Sequence, residues 1–325
     1  MERFNTIIGK DILAAKGFLY SGEVVAIPTE TVYGLAGNAL NEDAVLKIFK
    51  VKDRPHFDPL IVHTFSKEQI KKYVEEIPEK AQILMNRFMP GPLTLLLKKK
   101  KVIPDLVTSG LDTVAIRVPN HPLTLQLLEQ LDFPLAAPSA NPFGYISPTT
   151  AQHVNNQLSG KIPYILDGDA TTVGVESTIV GFENDQTIIY RLGGLAVEEI
   201  EKVIGKTEIN ISSGSNPKSP GMMNSHYAPK KEMMFGNIRS MIHKVALTLP
   251  ENKIGVIAFD RFVEGIDKKN QIILSSASDL NEAAKNLFGA MRRLDDSEVD
   301  VIYAIEFPEE GLGRAINDRL RRASV

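Results

Sequence analysis

Cysteine and tryptophan are both absent from the 325 residues of this chain. The missing cysteine excludes disulfides, iron–sulfur clusters, zinc ribbons and thiol nucleophiles in one step. It also fits a reducing compartment. Long apolar runs are lacking: none approaches the ~18 residues that a membrane-spanning helix needs. The opening MERFNTIIGK carries no apolar signal core. The expectation is a cytoplasmic protein with no membrane partner. Charge of one sign is lacking too. There are 37 basic and 40 acidic side chains for a net charge of −3, and the balance is even on either side of residue 230. With no basic arm, tight nucleic-acid binding is not favoured. Histidine is sparse, and His63, His121 and His226 lack metal-ligand spacing. No metal held by protein side chains is therefore expected. A Mg²⁺ ion carried by a nucleotide is a separate case, because it needs few protein ligands.

What is present is globular. Hydrophobic residues make up 43% and charged residues 24%, which excludes wholesale disorder. The length is a prior for two domains. Up to about residue 200 the patterns alternate between helix and strand. Helices are expected over 9–21 and 41–50, the second with Asn41 as its N-cap. Strands are expected over 24–28, 60–63, 93–97, 113–118, 135–137, 164–166, 177–181 and 187–191. Residues 205–230 are rich in Ser, Asn, Pro and Gly and read as a linker. Beyond them come a helix over 238–249, strands over 253–259, 271–274 and 299–305, and helices from Leu280 and from Gly313. That order predicts a small parallel sheet of doubly wound type. The expected domains are 1–205, a linker over 206–230, and 231–325.

Five segments could carry chemistry. Pro28-Thr29-Glu30-Thr31-Val32-Tyr33-Gly34-Leu35 follows the first apolar strand, where open α/β sheets bind ligands. The competing reading is a polar strand-to-helix turn. Lys52, Arg54, Pro55 and Pro59 lie in a Pro-bounded stretch after a helix. Such cations suit phosphates, although a lysine and arginine cluster is more often a solvated face. No Walker A sequence is present. Ala137-Pro138-Ser139-Ala140-Asn141 is a compact loop with Ser147 just beyond it; the bland reading is a Pro-bracketed turn. No nucleophile elbow surrounds Ser139, so it binds rather than attacks. Glu176-Ser177-Thr178 enters a strand. Arg191 leaves one, with a surface ion pair as its bland reading. Lys98–Lys101 reads as a solvated run; Gly311-Leu312-Gly313-Arg314 could suggest phosphate binding but lacks the full G-x-G-x-x-G and reads rather as a tight turn opening a helix.

The segments PTETVYGL (28–35), KDRP and DPLIVH (52–63), PGPLT (90–94), GLDTVAIRVP (110–119), APSAN (137–141), GVEST (174–178), RLGG (191–194) and SPGMMNSHYAP (219–229) occur together in this order. Together they closely resemble the long form of the threonylcarbamoyl-AMP synthase family. The resemblance implies a YrdC-like twisted mixed α/β sheet with a large concave face, followed by a small Rossmann-like domain. It implies a nucleotidyltransferase that makes threonylcarbamoyl-adenylate and pyrophosphate from ATP, L-threonine and bicarbonate. Mg²⁺ would arrive with ATP, and no organic cofactor is implied. A separate threonylcarbamoyl transferase complex would pass the group to adenosine at position 37 of tRNAs reading ANN codons. Carried over by position, Thr31, His63, Arg117, Ala137 and Ser177 would bind threonine. Lys52, Arg54, Pro55, Pro59, Thr113, Ser139, Asn141, Ser147, Arg191, Tyr227 and Ala228 would contact ATP or the adenylate, with Lys52 and Arg54 central to catalysis. The linker would close as a lid. Such a reaction needs positioning and charge neutralisation more than a covalent nucleophile. The alternative is an RNA-binding module that uses the same cationic face.

Overall fold

The computed structural model describes residues 4–211, 226–237, 250 and 253–324. The helix expected over 238–249 and most of the expected lid, residues 212–225, lie outside the described residues. The chain divides into two compact units. One comprises Met1–Phe143, Ser147–Thr172 and Glu176–Met223; the other comprises Gly144–Ile146, Val173–Val175 and Asn224–Val325.

The first unit is built on one mixed sheet. Its strands are Ile7–Gly9 (β1), Val25–Ile27 (β2), Gly34–Asn38 (β3), Ile61–His63 (β4), Leu93–Lys98 (β5), Thr113–Arg117 (β6), Leu135–Ala136 (β7), Tyr164–Leu166 (β8), Thr178–Glu183 (β9), Gln186–Arg191 (β10) and Glu208–Ile209 (β11). They lie in the order β1-β8-β2-β3-β7-β4-β6-β5-β9-β10-β11. β4 runs parallel to β6 and β5 runs parallel to β9, while β5 and β6 are antiparallel. The interior strands read as apolar runs because both faces are covered. Every residue of β2 and β4 is buried. β11 lies within the stretch expected to be linker and adds an edge strand beside β10.

Helix α1 (Ile12–Tyr20) opens on Asp11, whose carboxylate accepts from the Leu13 and Ala14 amides. It seats Ala15 and Leu19 in a core with Val25, Ile27, Leu127, Leu135 and Leu166. Helix α2 (Glu42–Lys52) is capped by Asn41 as expected, at 2.9 Å from the Asp43 amide. It continues past residue 50 and ends where Asp53 turns left-handed at φ 53°. Lys52 is therefore a last-turn helical residue and not part of a loop. PTETVYGL also departs from its bland reading. It joins β2 to the antiparallel β3 and opens no helix. Gly34 lies in β3 with its Cβ position only 3.2 Å from the Ala137 Cβ, a close approach that glycine accommodates without moving its neighbour.

Among the described residues the second unit has four strands: Glu232–Gly236 (β12), Ile254–Ala258 (β13), Gln271–Ile273 (β14) and Val301–Ile305 (β15). Their order is β12-β15-β13-β14, and every pairing is parallel, as expected. The helix Leu280–Asp295 opens on an Asp279 cap and buries Ala284, Leu287, Phe288 and Met291. The helix Gly313–Ala323 is less ordinary. Arg319 is fully buried, paired with Asp318 at 2.6 Å and set over the Tyr227 ring.

Candidate active site

Five elements of the first unit deliver the candidate residues at their ends. Arg117 is the last residue of β6 and stands beside His63, the last residue of β4, in the parallel register. Thr29, Glu30 and Thr31 follow the end of β2. Lys52 closes α2, and Arg191 closes β10 after a register shift next to Ile189. Bulges re-aim side chains in this way. The four cations are all buried: Lys52 is 1% exposed, Arg54 7%, Arg117 3% and Arg191 5%. Arg191 is thus no surface ion pair, and Lys52 and Arg54 are no solvated face. Lys98, Lys100 and Lys101 are exposed, as expected of that run.

Arg117 is held by its neighbours in sequence-distant loops. Nη2 pairs with the Glu30 carboxylate and Nη1 donates to Thr31 Oγ1 at 3.2 Å. The other Glu30 oxygen accepts the Asn120 amide at 3.0 Å. Thr29 Oγ1 gives its proton to the Val32 carbonyl at 2.7 Å and lies 2.8 Å from Thr31 Oγ1. With the Thr29 proton already used, Thr31 must donate to Thr29. Its remaining lone pair is then an acceptor. Arg117 Nε is buried and makes no hydrogen bond within the protein, which leaves one guanidinium N–H for a bound group.

His63 lies in the same neighbourhood. Burial, with the Arg117 charge next to it, depresses its pKa to about 3. The ring is neutral at ordinary pH. Nδ1 lies 3.1 Å from the Ile61 carbonyl, which can only accept. Ser177 Oγ lies 2.7 Å from Thr94 Oγ1 and accepts from Arg191 Nη2 at 2.9 Å. Ala137 is tied to β4 by its amide, which donates to the Ile61 carbonyl at 2.9 Å.

Lys52 reaches across to the APSAN loop. Its Nζ donates to the Ser139 carbonyl at 2.5 Å and the Asn141 carbonyl at 2.6 Å. An ammonium has three donors, so one N–H remains beyond these two bonds. Burial, and next the Arg54 charge, push the Lys52 pKa well below the usual lysine range. Arg54 Nη2 pairs with Asp58 at 2.8 Å and donates to the Pro59 carbonyl at 2.9 Å. Pro55 begins the intervening turn, where the Asp58 amide returns to the Pro55 carbonyl at 3.2 Å. Burial raises the Asp58 carboxyl against the pull of Arg54, Lys52 and Arg191.

These electrostatic neighbours show convergence. Asp58 feels Arg54, Lys52 and Arg191, while His63 feels Arg117 and Arg191. Segments far apart in sequence therefore share one charged site, in which four cations meet Glu30, Asp58 and Glu176. Ser147 joins it by donating to Glu176 Oε1 at 2.6 Å. Thr113 is at the opposite end of β6 from Arg117, about 13 Å along the strand. It lies on the side from which Pro59 enters β4. Thr113 is thus not brought to the end of the sheet where Arg117 and His63 stand.

Tyr227 and Ala228 belong to the second unit. The Tyr227 ring stacks on Phe288 at 5.6 Å, and the Ala228 amide donates to the Gly144 carbonyl at 2.8 Å. Gly311 and Gly313 form the turn and helix start expected of them. Among the described residues no cluster of His, Cys, Asp or Glu has metal-holding geometry, and no helix is long and apolar enough to cross a membrane.

Sequence reasoning missed the pairing roles of Glu30, Asp58 and Glu176, and it missed Thr94. Asp58 could have been found, because it lies four residues after Arg54. Nothing local signals that Glu30 answers Arg117.

The Sua5/YciO/YrdC family model, described as "Telomere recombination", matches residues 17–193. The model "Threonylcarbamoyl-AMP synthase, C-terminal domain" matches residues 195–325. A threonylcarbamoyl-AMP synthase of Pyrococcus abyssi is 45% identical over 96% of this chain and 94% of its own length. One from Bacillus subtilis is 41% identical over 96% of this chain and 92% of its own. The crystal structure of P. abyssi Sua5 complexed with L-threonine superposes with a TM-score of 0.90 at 43% identity, covering 99% of this chain and 97% of that one. With both family models matched in order and near-complete coverage of full-length relatives, this chain belongs to the threonylcarbamoyl-AMP synthase family.

Proposed function

We propose that the chain is an L-threonylcarbamoyladenylate synthase, a nucleotidyltransferase. The threonine amine adds to bicarbonate with loss of water to give a carbamate. A carbamate oxygen then attacks the α-phosphorus of ATP and pyrophosphate leaves. The observation that carries this reading is the convergence of Lys52, Arg54, Arg117 and Arg191 on one buried site. Neutralising a triphosphate and orienting two small substrates is what such a site does best.

The assignments divide along β6. Arg117 pairs the threonine carboxylate through its unpartnered Nε, and Thr31 accepts from the threonine amine or hydroxyl. His63, Ala137 and Ser177 complete that pocket. Lys52 and Arg54 hold the phosphates, and Pro55 and Pro59 shape that wall. Thr113, Ser139, Asn141, Ser147 and Arg191 contact the adenylate. ATP enters as its Mg²⁺ complex, and no organic cofactor takes part. Tyr227 and Ala228, at the end of residues 206–230, anchor a lid that shields the mixed anhydride from water. The product serves a separate threonylcarbamoyl transferase complex acting on position 37 of tRNAs in the cytoplasm.

RNA binding by the same cations is the weaker reading. Duplex recognition rests on accessible lysine and arginine, and these four are at most 7% exposed. Lys52→Ala and Arg54→Ala are expected to abolish pyrophosphate release that depends on threonine and bicarbonate. Full activity in both variants overturns the phosphate assignment.

A further inference from the structure

Tyr145 stands two residues before Ser147, and Lys230 stands two residues after Ala228. Gly144–Ile146 and the chain from Asn224 onward both belong to the second unit. There they run side by side. Tyr145 bridges Ala228 in the parallel sense, and the Ala228 amide donates to the Gly144 carbonyl at 2.8 Å. A bridge of one residue pair is too short to hold itself in water.

Asp295 supplies the hold, from the end of the helix Leu280–Asp295. Its Oδ1 accepts the Lys230 amide at 2.8 Å and the Lys231 amide at 3.0 Å, and its Oδ2 accepts the Tyr145 hydroxyl. All three partners are donors, and an ionised carboxylate offers only acceptors. Asp295 is 5% exposed, so its removal leaves these donors poorly served by water. Arg292, one turn earlier on the helix, donates to the Ile146 carbonyl and sets its guanidinium 5.2 Å from the centre of the Tyr145 ring. Lys230 Nζ lies 5.9 Å from the same ring centre. The helix end thus grips both segments at once.

We propose that Asp295 is a positioning residue for the nucleotide: its carboxylate ties the segment that leads into Ser147 to the segment that follows Ala228, and so sets both for ATP. This rests on the reading of Ser147 and Ala228 as nucleotide contacts. It gives the second unit a task in ATP binding without a catalytic group of its own. A shift of about 1 Å in such a segment is enough to cost tenfold or more in a contact that must be aligned.

The test measures pyrophosphate release in the wild type, Asp295→Ala, Asp295→Asn and Tyr145→Phe, with the KM for ATP and the KM for threonine taken separately. Asp295→Ala is expected to raise the ATP KM about tenfold and to leave the threonine KM within about twofold. Asp295→Asn keeps an oxygen for the Lys230 and Lys231 amides, so its ATP KM returns to within about threefold of the wild type. Tyr145→Phe raises the ATP KM about threefold, and adding it to Asp295→Ala costs nothing more, because the hydroxyl and the carboxylate act as one unit. A merely structural role lowers the melting temperature and kcat while the ratio of the two KM values stays put. The proposal is overturned if folded Asp295→Ala keeps the wild-type ATP KM, if both KM values rise alike, or if Asp295→Asn is as poor as Asp295→Ala. If Asp295→Ala fails to fold, Tyr145→Phe decides alone, since it removes one hydroxyl, and an unmoved ATP KM overturns the proposal. A wild type that releases no pyrophosphate from ATP with threonine and bicarbonate overturns the nucleotide reading itself, and this proposal with it.

Discussion

His63 and Arg117 end adjacent parallel strands as a neutral ring beside a buried cation. Burial and that cation hold the ring at a pKa of about 3, against about 6.5 for a free histidine. The unfolded chain therefore binds a proton that the folded chain refuses. The stability from His63 is complete above about pH 6.5 and is lost as pH falls toward 3, by about 1.4 kcal/mol per unit. Urea unfolding at pH 7 and pH 5 is expected to show His63→Gln losing about 2 kcal/mol less than the wild type across that interval. Asp58, raised by burial, contributes a slope of the opposite sign in both proteins, so the comparison isolates His63. Equal losses contradict the neutral ring.

The Glu30–Arg117 pair is the structural anchor of the site. Both side chains are nearly sealed from solvent. Removing one partner of such a pair leaves a charge uncompensated and costs about 3–5 kcal/mol. Glu30→Ala is expected to lower the urea midpoint accordingly, and Glu30→Ala with Arg117→Met is expected to recover part of the loss. A loss under about 1 kcal/mol, within the range of an exposed ion pair, contradicts the buried arrangement.

Arg117→Lys keeps the charge but loses the planar fork that serves Glu30 and Thr31 and, in the proposed function, the threonine carboxylate. The expected result is a threonine KM raised about tenfold, with the ATP KM within about twofold of the wild type, as for one lost charge-assisted contact. A change confined to the ATP KM places Arg117 on the wrong substrate.

Gly193 lies against the entry to β9, where a β-carbon would meet the Glu176 carbonyl, the Ser177 carbonyl carbon and the Thr178 amide within 2.5 Å. All three are backbone atoms and cannot rotate away. Gly193→Ala is expected to destabilise by about 1–3 kcal/mol. It should also lower activity, because Ser177 and Glu176 move with that backbone. Thermal unfolding and turnover measured on the same preparation check both halves.

Most strands of the first unit were legible because apolar runs bounded by Pro, Gly and Asp are local signals. The Asn41 cap is local too, and α2 starts where it should. The end of α2 was misplaced because Asp53 stops the helix by adopting a left-handed turn, which Asp tolerates without announcing it. PTETVYGL could not be read as a strand-to-strand link from its own residues. Its partners, Ser139 across from Gly34 and Pro148 across from Tyr33, are more than a hundred residues away. The cations of the site were named from the sequence, but the carboxylates that answer them were not. Charge pairing across a sheet depends on strand order, and strand order is not written in any one segment.

The proposed function requires one site to join threonine, bicarbonate and ATP into a mixed anhydride. The direct measurement incubates the protein with ATP, L-threonine and ¹³C-bicarbonate and examines the adenylate by mass spectrometry. The account predicts a threonylcarbamoyl-adenylate carrying one labelled carbon, formed in step with pyrophosphate and only when all three substrates are present. An unlabelled threonyl-adenylate, or pyrophosphate released without threonine, contradicts it.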